Sequence, residues 1–260
     1  MIQRITLIGA GNLATCVGKA FRNAGLDIGQ VYSRTRESAS VLASKLGCNY
    51  TNKAHEIDLS ADLVLIAIKD DAIPNLLKKL DCRHVKLAHT AGSVPLELLK
   101  KYSDHCGVFY PLQTFSKSRD LNFSDIPVCL EANSSGMLDE LRAMAVRISG
   151  DVREISSDER KVLHLAAVFA CNFVNHFYYL GDKLLSAYNL PFDLLIPLIR
   201  ETSFKITELS PYQAQTGPAM RSDESILNKH LKMLEKQPEL MKIYSFVSES
   251  IFLAHKKEYE

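Results

Sequence analysis

The chain has 260 residues, room for two ordinary domains, and its 47% hydrophobic and 23% charged side chains match a globular protein with a real core. Its 31 basic and 30 acidic residues leave a formal net charge of +1, so it lacks the basic stripe that nucleic acids or anionic membranes require. The six cysteines (Cys16, Cys48, Cys82, Cys106, Cys129 and Cys171) form no Cys-x-x-Cys pair and no cluster at zinc spacing, which points to reduced thiols in the cytoplasm and to no metal site.

Taken in chain order, the first part alternates strand-like and helix-like segments. Ile5 to Ile8 reads as a buried strand, Asn12 to Asn23 as a helix, Ile28 to Ser33 as a strand and Arg36 to Leu46 as a helix, with a short strand near Tyr50. Leu63 to Ile68 is an uninterrupted apolar run, expected of a central strand covered on both faces. Val85 to His89 and Cys106 to Phe109 read as further strands around a helix from Pro95 to Lys101. Beyond a polar segment from Thr114 to Asp125, Pro127 to Leu130 and Val152 to Ile155 read as strands flanking a helix from Met137 to Ile148.

From Ser156 the pattern becomes all helix. Ser156 and Glu159 fit a capping box, and the helix they open is expected to run to about Tyr188 and to be buried, because its apolar residues point all round between Val162 and Val174. Further helices are expected from Pro191 to Leu209 with a bend at Pro197, from Asp223 to Glu235 and from Pro238 to Lys256. The expected architecture is therefore α/β: an N-terminal Rossmann doubly wound parallel sheet over residues 1–155, followed by an all-α C-terminal domain over 156–260. Val162 to Val174 is the strongest apolar stretch and is well short of the ~20 residues that span a bilayer. With no basic leader before Ile8, a soluble cytoplasmic protein is expected.

Gly9-Ala10-Gly11-Asn12-Leu13-Ala14 matches the dinucleotide fingerprint G-x-G-x-x-G/A, lying between a strand and a helix as the motif requires. Gly9 permits the tight turn, Gly11 lets a diphosphate approach the backbone, Ala14 lets the helix pack on the sheet, and the opening turn from Asn12 and Leu13 offers unpaired N–H groups. Past the second strand an NAD-binding protein usually places a carboxylate for the ribose hydroxyls. Here the residues are Ser33, Arg34, Thr35 and Arg36. Ser33, Arg34 and Arg36 suit a 2′-phosphate, so NADP(H) is expected rather than NAD(H). Ile68 and Lys69, after the central strand, and Thr90, after the next, are further expected cofactor contacts. His89 at a strand end either meets the nicotinamide or substrate or caps a loop.

These residues resemble the Rossmann-like NADP oxidoreductases that carry a C-terminal helical domain of unknown function, distant relatives of pyrroline-5-carboxylate reductase and of the 6-phosphogluconate and β-hydroxyacid dehydrogenases. The resemblance spans nearly the whole chain. Its carriers are the fingerprint, His89-Thr90-Ala91-Gly92-Ser93, Phe109 to Gln113, Lys161 to Asn172, and Thr216-Gly217-Pro218 with Arg221. It implies a nicotinamide-binding domain and a helical domain that pairs as a homodimer, without implying a substrate. Two departures matter. The lysine and asparagine that β-hydroxyacid dehydrogenases place one turn apart are not reproduced, since Leu165 lies one turn after Lys161. Thr216-Gly217-Pro218 only partly echoes the late loop of the pyrroline-5-carboxylate reductases.

On the long helix, His164, Asn172 and Asn175 interrupt the apolar surface. A uniform step of about 100° per residue puts all three within roughly one quadrant. They line a catalytic cleft, with His164 as proton donor, or form a hydrogen-bonded core or dimer seam. Arg221 is either a clamp for a substrate carboxylate or a solvated charge. The expected function is hydride transfer between NADP and a small carbonyl, hydroxy acid or imine, with His164, Asn172 and His89 as candidate catalytic residues. The alternative from another class is a non-catalytic dinucleotide sensor on the same scaffold.

Overall fold

A computed structural model describes residues 1–256. They divide into two compact units, Met1–Cys171 and the residues from Asn172 on. The boundary thus falls later than the expected 155/156, because the opening turns of the long helix pack with the sheet. Arg160 is buried there, and Leu163 joins the sheet's apolar core.

The first unit is an eight-stranded sheet built from β1 (Arg4–Ile8), α1 (Asn12–Asn23), β2 (Asp27–Tyr32), α2 (Arg36–Leu46), β3 (Asn49–Thr51), β4 (Leu63–Ile66), α3 (Ile73–Leu77), β5 (Lys86–His89), α4 (Glu97–Lys100), β6 (His105–Pro111), β7 (Val128–Ala132), α5 (Ser135–Ala145), β8 (Val152–Glu154) and α6 (Ser157–Ala167). The spatial order is β3-β2-β1-β4-β5-β6-β7-β8. The strands from β3 to β6 are parallel, β7 runs antiparallel to β6, and β8 runs parallel to β7. Chain order reverses between β1 and β4, the switch point at which open α/β sheets form a crevice beyond their carboxyl ends.

The apolar runs are explained by the two faces they must cover. Leu63 and Leu65 of β4 join one core with Val17, Phe21 and Leu42 of the helices, while Val64 and Ile66 join the other with Ile73, Leu77 and Leu99. A strand covered on both faces has no reason to alternate. The Phe21 and Phe109 rings meet edge to face at 5.5 Å, tying α1 to β6. Gly9 has φ +124°, and a β-carbon there would collide with the Ala67 carbonyl. Only glycine makes the turn from β1 into α1 at that distance from β4.

The capping box at Ser156 and Glu159 is present as expected. The single long helix is not. α6 ends at Ala167, a π-helical turn follows over Val168–Phe173, and α7 covers Val174–Ser186. The uniform angular step used to place His164, Asn172 and Asn175 on one side does not run unbroken through these wider i→i+5 turns. Nor is this stretch buried: Val162, Leu165 and Phe169 are 69%, 59% and 62% exposed. The second unit continues with α8 (Ile196–Lys205), entered through a 3₁₀ turn, then α9 (Glu224–Met233) and α10 (Pro238–His255). Among the described residues no helix is long and apolar enough to cross a membrane.

Candidate functional site

A cavity of about 580 Å³ opens over the carboxyl ends of β1, β2 and β4, lined by Gly9 and Gly11, by Ser33, Arg34 and Ser38, and by Ile68, Lys69 and Lys79 on the far wall. Gly11 is the N-cap of α1 and supplies no side-chain cap, and the first turn holds no acidic residue. The N–H groups of that turn are therefore left for an anion, favoured also by the helix dipole. The Arg34 guanidinium has no hydrogen bond or ion pair among the described residues. An unpaired cation, hydroxyl groups and a capless helix start around a cradle of glycines fit a dinucleotide bearing a 2′-phosphate.

Of the residues singled out from sequence, Gly9, Gly11, Ser33, Arg34, Ile68 and Lys69 line this cavity. Asn12 and Leu13 open α1 beside it. Arg36 does not line it. As the first residue of α2 it turns to the Tyr50 hydroxyl of β3, whose pKa it lowers by hydrogen bonding, with Ser40 adding to the effect. Thr90 is buried, and its hydroxyl and N–H both donate to the Ile66 carbonyl, at 3.3 and 3.0 Å, so it faces the strand and not the cavity.

His89 takes the loop-capping alternative. It is fully buried, and its Nδ1 accepts the Ala91 N–H at 3.2 Å. Burial first, and the Arg160 charge second, push its pKa down to about 3, against a weak opposing contact to the Pro95 carbonyl. A ring held neutral and closed off does not form the imidazolium that would serve as a general acid at neutral pH. The consequence for stability has a definite sign. The unfolded chain takes up a proton at His89 near pH 6.5 and the folded chain only near 3, so this residue's contribution is full above 6.5 and is lost as pH falls towards 3. Between pH 7 and 4.5, wild type is expected to lose about 2 kcal/mol more unfolding free energy in urea than His89→Gln. An identical loss in both would show that His89 is not the group responsible.

His164 lies on α6 with its Nδ1 3.0 Å from the Tyr110 hydroxyl near the end of β6. The rings meet edge on, 6.2 Å between centroids. Burial raises the Tyr110 pKa, so its hydroxyl stays protonated. Gly92, in the loop after β5, lies against the imidazole, and a β-carbon there would sit 2.6 Å from Nδ1. His164 itself is exposed, and among the described residues its Nε2 has no hydrogen-bond partner. Nearby, the Ser93 hydroxyl donates to the Asp70 carboxylate and joins the loops after β5 and β4.

What holds α6 in place is a buried cation. Arg160 has a side chain only 1% exposed and pairs with Glu131 of β7 at 2.5 Å. It also donates to the Val94 carbonyl at 2.6 Å and to the Ser157 hydroxyl at 3.2 Å. Ser157 in turn donates to Glu131 at 2.7 Å and accepts the Leu96 N–H at 3.0 Å. The start of α6, strand β7 and the loop after Gly92 are thus one hydrogen-bonded knot, one turn before His164.

Asn172 and Asn175 fall in the second unit and are exposed, as are Thr216 and Arg221 in the segment between α8 and α9. Among the described residues, no three metal-ligating side chains cluster.

Residues 4–88 match the family described as NADP oxidoreductase, coenzyme F420-dependent, and residues 126–251 match a domain of unknown function (DUF2520). Among solved structures, a "putative NADP oxidoreductase" from Bacteroides fragilis is 46% identical, with a TM-score of 0.93 over 96% of this chain and 98% of that one. An imine reductase from Myxococcus stipitatus in complex with NADP+ is 17% identical, with a TM-score of 0.66 over 98% of this chain and 93% of that one. A pyrroline-5-carboxylate reductase from Coxiella burnetii is 17% identical, with a TM-score of 0.60 over 99% and 98%. The last two share the fold. No curated protein matches the chain at a significant level.

Proposed function

Because the chain belongs to the NADP oxidoreductase family, we propose that it reduces a small C=N or C=O bond, with NADPH in the cavity over the fingerprint and His164 as the proton donor. The observation that carries this is the Tyr110–His164 pair, at the same carboxyl edge of the sheet as the dinucleotide cavity. The imine half of the substrate class is favoured by the shared fold with the imine reductase and the pyrroline-5-carboxylate reductase.

In this reading Gly11, Asn12 and Leu13 hold the diphosphate through backbone N–H groups, while Ser33, Arg34 and Ser38 surround the 2′-phosphate. The bound dihydronicotinamide supplies the hydride. In the protonated His164 ring, Nδ1–H donates to the Tyr110 oxygen and Nε2–H is free for transfer to the substrate nitrogen or oxygen. Loss of that proton leaves a neutral imidazole whose Nδ1 accepts from the Tyr110 hydroxyl, so the ring keeps its orientation through the step. His89 shapes the loop that carries Gly92 rather than exchanging protons.

The second unit serves pairing. Phe177, Tyr179, Leu198, Phe204 and Phe246 are 43%, 57%, 63%, 57% and 73% exposed, large apolar side chains of the kind that mark an interaction surface, and a second copy of the chain is their occupant. The six cysteines are all free, consistent with the cytoplasm.

The test is single-turnover oxidation of NADPH with a panel of ketoacids and imines. Substrate-dependent loss of the reduced cofactor's absorbance is expected. Tight binding with no oxidation by any member would remove the catalytic assignment. The 2′-phosphate has its own check: Arg34→Ala should weaken NADPH by about tenfold or more and NADH hardly at all, measured by calorimetry. Equal losses would contradict it.

A further inference from the structure

A second cavity, of about 230 Å³, adjoins the dinucleotide cavity and shares Ala10 and Ser38 with it. Its walls include Thr15 of α1, Glu37 and Lys45 of α2, and Lys117 from the segment between β6 and β7. Neither Lys45 nor Lys117 has a hydrogen bond or ion pair among the described residues. The helix start at this boundary is open too: Thr35, the N-cap of α2, makes no side-chain cap bond, and its hydroxyl donates instead to Ser38 at 2.8 Å.

Lys117 does not reach this place by chance of a loose loop. The segment around it is fastened to α1 on both sides. Before it, the Cys16 thiol donates to the Ser116 carbonyl at 3.7 Å, and after it Lys19 pairs with Asp120 at 3.0 Å. The Arg119 N–H closes a turn onto the Ser116 carbonyl at 3.2 Å, and the rings of Phe115 and Phe123 stack at 6.0 Å. These contacts hold an uncompensated ammonium beside the fingerprint, more than a hundred residues upstream in sequence.

We propose that Lys117, seconded by Lys45, is a specificity determinant that grips the 2′-phosphate of NADPH from the side opposite Arg34. A phosphate lodged between Ser33, Arg34 and Ser38 stands where the two cavities meet. Arg34 approaches it from the adenosine side and Lys117 from the groove between α1 and α2. The phosphate carries up to two negative charges, and two cations at its flanks outweigh the single carboxylate of Glu37 in that groove. A dinucleotide without the 2′-phosphate has nothing to offer Lys117, so the residue discriminates between the two cofactors.

The inference rests on the cofactor reading above, and the experiment separates the two. NADPH and NADH are titrated by calorimetry into wild type, Lys117→Ala, Lys117→Arg and Arg34→Ala. Lys117→Ala should bind NADPH about tenfold more weakly with NADH affinity unchanged, and Lys117→Arg should restore most of the loss. Lys117 makes no contact that folding depends on, so the variants are comparable. If Lys117→Ala leaves NADPH binding intact while Arg34→Ala weakens it, this inference falls and the cofactor reading stands. Equal weakening of NADPH and NADH also overturns it, because Lys117 would then act on something common to both. If wild type binds neither cofactor, the reading beneath it fails as well.

Discussion

His164→Ala is expected to slow single-turnover NADPH oxidation by about 10²–10⁴-fold while leaving NADPH affinity within about twofold. The two readouts diverge because His164 lies at the β6 end of the site and does not line the dinucleotide cavity. Two companions separate chemistry from positioning. Tyr110→Phe removes the partner of Nδ1 but not the proton donor, so a smaller loss, about tenfold, is expected, together with a changed pH profile. Gly92→Ala keeps both groups but pushes the ring away, since the new β-carbon would lie 2.6 Å from Nδ1. It should behave like Tyr110→Phe. Unchanged turnover in His164→Ala would end the assignment of this residue as the donor.

Glu131→Ala is expected to cost about 3–5 kcal/mol of stability. The cost does not measure what the ion pair contributes. It arises because Arg160, 1% exposed in its side chain, would remain a buried charge with no counter-ion. Its other acceptors, the Val94 carbonyl and the Ser157 hydroxyl, carry no net charge. Adding Arg160→Met to Glu131→Ala should therefore recover a substantial part of the loss, as measured by urea denaturation. If the double variant is no more stable than Glu131→Ala, the stranded charge is not the cause. Because this knot anchors α6 one turn before His164, the Glu131 variant should also lose turnover under conditions where it remains folded.

Which of these features the sequence makes legible follows from the range over which each is determined. The fingerprint, the capping box and the unbroken β4 run are local, since a glycine turn, a serine cap and a doubly covered strand each leave their mark within a few residues. The cofactor preference is legible for the same reason, as Ser33 and Arg34 sit directly after β2. Arg36 belongs to the same stretch but fails, because its direction depends on Tyr50 of the neighbouring strand. Ser38, which lines the same cavity, carries only the indirect signal of Ser33-Arg34-Thr35 at a helix start.

Other features depend on contacts distant in sequence. Nothing near Arg160 in sequence shows that Glu131 and the Val94 carbonyl converge on it. Tyr110 was visible only as a strand end. Its pairing with His164 is a tertiary contact across 54 residues. The π-helical turn at Val168–Phe173 has no compositional marker, and an apolar face is the same in sequence whether a core or a second copy is to cover it. His89 offered two readings from sequence, and burial decided between them.

The central claim, that a 2′-phosphorylated dinucleotide binds where β1 turns into α1, is tested most directly by calorimetric titration of the wild-type chain with NADPH and NADH side by side. One NADPH per chain is expected, at least about tenfold tighter than NADH. Silence from both cofactors at millimolar concentration, or tighter binding of NADH, would contradict it.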